Sequence, residues 1–259
     1  YLFIIFWINS TCCILFNSTK KVYLTTMEKR WKIKEQFDSE KIEKLSAELN
    51  GLDFTLTNIL LQREINSFDK AKTFFRPSLE DIHDPFLLQD MDKAVDRIEE
   101  AIDNNEKILI YGDYDVDGTT SVALVYSYLK NYYNQLEYYI PDRYSEGYGI
   151  SYKGIDFAAE NDFKLIIALD CGIKAIEKID YSSSKGVDFI ICDHHRPGDE
   201  LPKAVAVLDQ KRDDCNYPFK ELSGCGVGFK LMQAWTHKTK NNEELLFQYL
   251  DLVAISSCA

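Results

Sequence analysis

Four strand-length apolar runs beyond residue 106 each end on an aspartate. They are KILIYGD at Asp113, KLIIALD at Asp170, VDFIICD at Asp193 and AVAVLD at Asp209. The runs are nearly continuous rather than alternating, the pattern of strands buried on both faces of a parallel sheet. Helical patterns separate them (TSVALVYSYLKN, YKGIDFAAEN, GIKAIEKIDYSSSKG), and LEYYIPD adds another strand. This alternation predicts an α/β fold with a doubly wound, mostly parallel sheet. The carboxyl ends of all strands in such a sheet share one edge, and ligands bind there. Aspartates far apart in sequence are therefore expected to converge.

The first run continues into GDYDVDG, which places Asp113, Asp115 and Asp117 at alternate positions, and the third continues into His194 and His195. Carboxylates crowded on one edge repel each other unless something neutralises them. A divalent cation is the simplest neutraliser, and oxygen ligands with one or two imidazoles favour Mn2+ or Mg2+ over zinc. The Asp-x-Asp-x-Asp spacing also opens calcium-binding EF loops. Leu124 stands where such a loop needs glutamate, and a strand precedes it, so that reading is rejected. Gly118 and the following Thr-Thr-Ser open a helix whose first amides suit a phosphate. His83 and His237 read as structural.

A formal net charge of -12 argues against a broad basic surface for nucleic acid. It does not exclude a nucleic-acid enzyme, because a metal site itself collects carboxylates. Seven cysteines, without a CxxC pair, suggest free thiols and a reducing, cytoplasmic compartment. The apolar opening YLFIIFWINSTCCILF has no basic flank and is short for a span, so no membrane association is expected. Residues 1–26 read as upstream translation ahead of Met27. Residues 27–104 read as a helical N-terminal segment: DSEKIEKLSAELNG, then LDFTLTNILLQREI, a loop punctuated by Pro77 and Pro85, and a helix from about Gln89 to Asn104. Residues 105–259 form the α/β domain, with two closing helices in GVGFKLMQAWTHK and NNEELLFQYLDLVAISS.

In order, GDYDVDG, ALDCG, CDHH and SGCGVGFKL resemble the motifs of the DHH phosphoesterase superfamily, named for the residues that are Asp193, His194 and His195 here. PDRYSEGYGIS and LDQKRDDCNYPFKELSGCGVGFKL are most similar to its bacterial single-strand-specific exonuclease branch, and the resemblance runs from about Met27 to Ile255. It implies two Mn2+ or Mg2+ ions held by Asp113, Asp115, Asp117, Asp170 and His194, without saying which of the first three bind directly. It places His195 near the scissile phosphate and Asp193 behind the site, holding a histidine tautomer. Arg143 and the backbone of Ser223, Gly224, Gly226 and Gly228 match segments that hold substrate. The implied activity is 5′→3′ hydrolysis of single-stranded DNA in recombination and repair, with single-strand-binding protein and a helicase as partners.

The sequence departs from this branch at its end. The family pattern carries a further aspartate ligand after DLVAIS, where this chain has only Ser-Cys-Ala. A second DHH-associated domain and an oligonucleotide-binding barrel are also absent, so the chain alone is expected to be weak or inactive. Two other readings stand beside this one. One is a phosphodiesterase for cyclic dinucleotides or short oligonucleotides, or a related pyrophosphatase. The other is a catalytically dead nucleic-acid or replication binding module.

Overall fold

A computed structural model describes residue 34 and residues 36–259, so the expectation for residues 1–26 lies outside the described residues. The chain divides into two compact units, one ending at Pro77 and one beginning at Ser78. The first contains α1 (Ser39–Glu48), α2 (Phe54–Leu61) and α3 (Phe68–Phe75). Asp53 caps α2 by accepting from the amides of Thr55 and Leu56, and Ser67 caps α3 by accepting from Lys70. Ile42, Leu45, Leu60, Leu61, Ile65 and Ala71 form its small core. α3 occupies a stretch whose sequence reads as the approach to a proline-punctuated loop.

The unit boundary falls at Pro77 rather than near residue 104 because α4 (Met91–Asp103) packs into the core of the second unit. Met91, Ala94, Val95, Ile98 and Ala101 recur at helical spacing and join the same apolar cluster as Ile108, Ile110, Leu165 and Ile167. The helix extends the α/β core in space although it looks like a continuation of the charged N-terminal segment in sequence.

The second unit is built on five strands: β1 (Lys107–Gly112), β2 (Leu136–Tyr139), β3 (Phe163–Leu169), β4 (Asp188–Cys192) and β5 (Ala206–Leu208). Their order is β2-β1-β3-β4-β5 and every pairing is parallel. Alternate strand residues serve opposite faces. Ile108, Ile110 and Ile167 pack toward α4, α5 (Val116–Lys130) and α8 (Gly224–Thr239). Leu109, Tyr111 and Ile166 pack toward α6 (Tyr152–Glu160) and α7 (Ile176–Ser184). Coverage of both faces is the reason the strands read as unbroken apolar runs. The final stretch forms two helices, α9 (Glu243–Phe247) and α10 (Leu250–Cys258), instead of one. The break at Tyr249 lets that ring pack against Tyr128, with centroids 6.3 Å apart. No helix among the described residues is long and apolar enough to cross a membrane.

Register positions the functional edge. Gly112 pairs with Leu169, Leu169 with Cys192, and Cys192 with Leu208. The next residue of each strand is an aspartate, so Asp113, Asp170, Asp193 and Asp209 leave the sheet at one level, all buried. The order also makes the β1/β3 gap the point where chain direction reverses, the crevice that favours ligands.

Gly118 permits the close turn from β1 into α5. A Cβ on Gly118 would lie 2.4 Å from the Asp113 carbonyl oxygen and 2.6 Å from its nitrogen. These are backbone atoms of the buried residue that follows β1 and cannot rotate away. Gly118→Ala is therefore expected to destabilise by about 3 kcal/mol, lowering Tm by roughly 6–12 °C. Thermal unfolding of the metal-free protein checks this, and an unchanged Tm would refute the close-approach argument.

Candidate metal centre

Asp170 occupies the centre of the edge. Its side chain is buried, its φ of 59° is in the left-handed region, and neither carboxylate oxygen has a hydrogen-bond partner. A strained residue carrying two orphaned buried oxygens is a costly arrangement, of the kind retained for function. His194 Nε2 lies 3.2 Å from Asp170 Oδ1 and 3.4 Å from Asp117 Oδ2. It is close to the first without completing a hydrogen bond. His195 Nδ1 lies 4.0 Å from the same Asp170 oxygen. One ligand atom each from Asp170, His194 and His195 lie within 4.8 Å of one another. This oxygen-and-imidazole set fits a divalent cation such as Mn2+ or Mg2+.

The remaining aspartates have distinct surroundings. Asp193 Oδ1 accepts from His195 Nδ1 at 2.7 Å and from the amides of His194 and His195, while its Oδ2 accepts from the Ile173 amide. Asp117 Oδ2 accepts from the Gly224 amide, and its Oδ1 from the Cys225 amide and the Ser256 hydroxyl, each at 2.7 Å. Asp115 caps α5 by accepting from the Gly118 amide at 2.9 Å, and its Oδ2 accepts from the Tyr148 hydroxyl at 3.3 Å. Asp113 is placed differently from its neighbours. It is fully buried, with Oδ1 on the Tyr114 amide and Oδ2 on the Gly149 amide, both at 2.7 Å. It stands outside the Asp170–His194–His195 cluster.

Electrostatics follow from these contacts. Burial pushes Asp170 up to about 7; His194 opposes the rise, while the charges of Asp117 and Asp115 add to it. The bond to Asp193 holds His195 up to about 8, and proximity to Asp170 raises His194. Burial works against the charge on Asp193, yet His195 and the backbone amides keep its carboxyl below the usual range. Burial raises Asp113, partly offset by its two amide bonds. Asp209, with Oδ2 unpartnered, is pushed by burial to about 6.

The glycine-rich segment is an N-terminus packed hard against the edge. Ser223 caps α8 by accepting from the Gly226 amide, and the Gly224 and Cys225 amides are taken by Asp117. A Cβ on Gly224 would lie 2.6 Å from Asp170 Cβ, and one on Gly228 would crowd Val125 and Leu169. These amides hold a carboxylate of the chain itself. Arg143 is exposed in the β2–α6 loop, its guanidinium 5.4 Å from the Tyr114 ring centroid. A cleft of about 560 Å3 joins Asp115, Asp117, Asp170, His194, His195 and Ser223, and adds Tyr148, Lys211 and Ser256. Sequence reasoning assigned no role to these last three. Lys211 follows the strand-end Asp209, and Tyr148 lies between glycines, so position alone marked both.

Residues 107–256 match the DHH family, N-terminal domain. The single-stranded-DNA-specific exonuclease RecJ of Bacillus subtilis (strain 168) is 40% identical over 230 residues, covering 89% of this chain and 28% of that protein. A crystal structure of exonuclease RecJ bound to manganese superposes with a TM-score of 0.61 at 30% identity, covering 66% of this chain and 43% of the other. RecJ in complex with Mn2+ from Thermus thermophilus shares the fold, with a TM-score of 0.70 at 23% identity over 88% of this chain and 31% of that one. The chain thus spans 28% of the length of its Bacillus relative. With the motifs at one sheet edge and more than half its length matched, the chain belongs to the DHH family.

Proposed function

We propose that this chain is the metal-binding part of a phosphodiester hydrolase that removes mononucleotides from the 5′ end of single-stranded DNA. The observation that carries this reading is the buried, unpartnered Asp170 carboxylate beside His194 and His195, in a chain similar to single-strand-specific exonucleases. Asp170 and His194 would hold a divalent ion, Mn2+ or Mg2+, with Asp117 adjoining through His194 and Asp115 able to contribute the oxygen now shared with Tyr148. Asp113, with both oxygens already accepting amide bonds, is the least available of the expected ligands. When bound, such ions stabilise negative charge on a phosphodiester and ease deprotonation of water.

The residues supply the rest. Asp193 fixes His195 through Nδ1, which leaves Nε2 to carry a proton toward the departing oxygen. The bond to Asp193 favours the protonated form of the His195 ring. Arg143, stacked on Tyr114, is placed on the loop that closes over Asp113 through the Gly149 amide, where it can meet the phosphate backbone. Within this reading the site works in the cytoplasm, beside a single-strand-binding protein and a helicase that frees single strands. The buried free thiols of Cys171, Cys192, Cys215 and Cys225 suit that reducing compartment.

Incubating the chain with 5′-labelled single strands and with dinucleotides, each with Mn2+ and with chelator, tests the proposal. Mn2+-dependent release of labelled mononucleotide from strands supports it. Hydrolysis of dinucleotides alone would replace it with the small-substrate reading; Mn2+ binding without hydrolysis of either matches the weak activity expected of this chain by itself, and failure to bind Mn2+ would refute the reading.

A further inference from the structure

Two serines from separate helices meet behind Asp117. Ser223 caps α8 and Ser256 lies in α10, and both are buried. Their hydroxyl oxygens are 2.5 Å apart, and Ser256 Oγ is also 2.7 Å from Asp117 Oδ1. The chemistry of the end groups fixes the direction of these bonds. An ionised carboxylate only accepts, so the single Ser256 hydroxyl proton goes to Asp117. Ser256 Oγ then accepts from the Ser223 hydroxyl, whose own oxygen accepts from the Gly226 amide at 3.1 Å. Gly226, Ser223 and Ser256 therefore form one chain of donors that ends on the Asp117 carboxylate, and each bond polarises the next.

We propose that Ser256 is a positioning residue for metal capture, acting through Asp117 and aligned by Ser223. The inference rests on the metal-dependent reading and deepens it by assigning the Asp117 oxygen that is left for the ion. Oδ1 accepts from both the Ser256 hydroxyl and the Cys225 amide, which fills its lone-pair directions. Oδ2 accepts from the Gly224 amide and keeps a second direction. That same Oδ2 lies 3.4 Å from His194 Nε2, which in turn lies 3.2 Å from Asp170 Oδ1. Ser256 thus saturates the oxygen bonded to α8 and α10 and leaves the open lone pair on the oxygen beside His194. Without that hydroxyl, Oδ1 regains a free direction, and the carboxylate no longer offers one defined oxygen to a cation. A partner one bond behind a ligand sets its orientation in this way, and its loss typically changes metal affinity about 10–100-fold.

Calorimetric titration of the full chain with Mn2+, with metal-free melting as the check of folding, tests this role. Ser256→Ala should weaken Mn2+ binding about tenfold, the lower end for such a partner. Ser256→Thr, which restores the hydroxyl, should recover most of that loss. A double-mutant cycle separates positioning of Asp117 from mere support of α10. In an Asp117→Asn background the alanine substitution should cost less than about twofold, because the carboxylate it orients is gone. An equal loss in both backgrounds, or an unchanged affinity in Ser256→Ala, would overturn the positioning role and leave the metal-dependent reading standing. Absence of Mn2+ binding by the unaltered chain would overturn both.

Discussion

Asp170→Asn is expected to abolish Mn2+ binding measured by calorimetry and, at the same time, to raise the Tm of the metal-free protein. The carboxylate is buried, has no hydrogen-bond partner and is pushed up to about 7. At neutral pH its ionised form costs the fold about 4 kcal/mol relative to an ordinary aspartate. Asparagine removes the charge but leaves a polar group equally unpartnered, which returns part of the gain. A net stabilisation of about 1–2 kcal/mol remains, roughly 2–8 °C in Tm. Loss of metal binding without any stability gain would mean that the carboxylate is satisfied in solution and that the site is not strained.

The same groups set the pH dependence of the metal-free protein. A carboxyl held above its unfolded value binds its proton more tightly when folded, so its contribution falls as pH rises from about 4 to about 7. A histidine held at about 8 contributes fully below its unfolded value and loses that contribution as pH rises through about 8. Both slopes have the same sign. The metal-free chain should therefore melt higher near about pH 5.5 than near about pH 8, and saturating Mn2+ should reverse the order because metal requires deprotonated ligands. A metal-free Tm that rises between these two pH values would contradict the placement of these protons.

Asp117→Ala is expected to have the other large effect, on stability as well as metal binding. Asp117 accepts from two amides at the start of α8 and from Ser256, tying α5, α8 and α10 to one carboxylate. Charge-assisted bonds at a helix N-terminus are the stronger kind, and removing the acceptor leaves buried donors unpaired. The cost should be about 3 kcal/mol, roughly 6–12 °C in Tm. Asp117→Asn keeps one acceptor oxygen and should lose less than half of that, while Mn2+ affinity falls in both variants. An alanine variant as stable as the parent would show that α8 docks without this pin.

Much of the architecture was legible before folding because its signals are local. Unbroken apolar runs such as KLIIAL and DFIIC mark strands covered on both faces, and a parallel sheet brings their ends to one edge. From this alone Asp113, Asp170, Asp193 and Asp209 could be placed together. The boundary near α4 was not legible, because its charged face resembles the preceding helices and only packing reveals its core side.

What each aspartate does was decided by contacts distant in sequence. The Gly149 amide reaches back to engage Asp113, the α8 amides engage Asp117, and no donor bonds to Asp170. Strand polarity and register follow from the apolar pattern, so the meeting of acidic groups on one edge was already written in the order of residues. Which of those groups is left bare for a cation was not. That depends on where the β2–α6 loop and the α8 N-terminus bring their unpaired N–H groups, a matter of long-range docking.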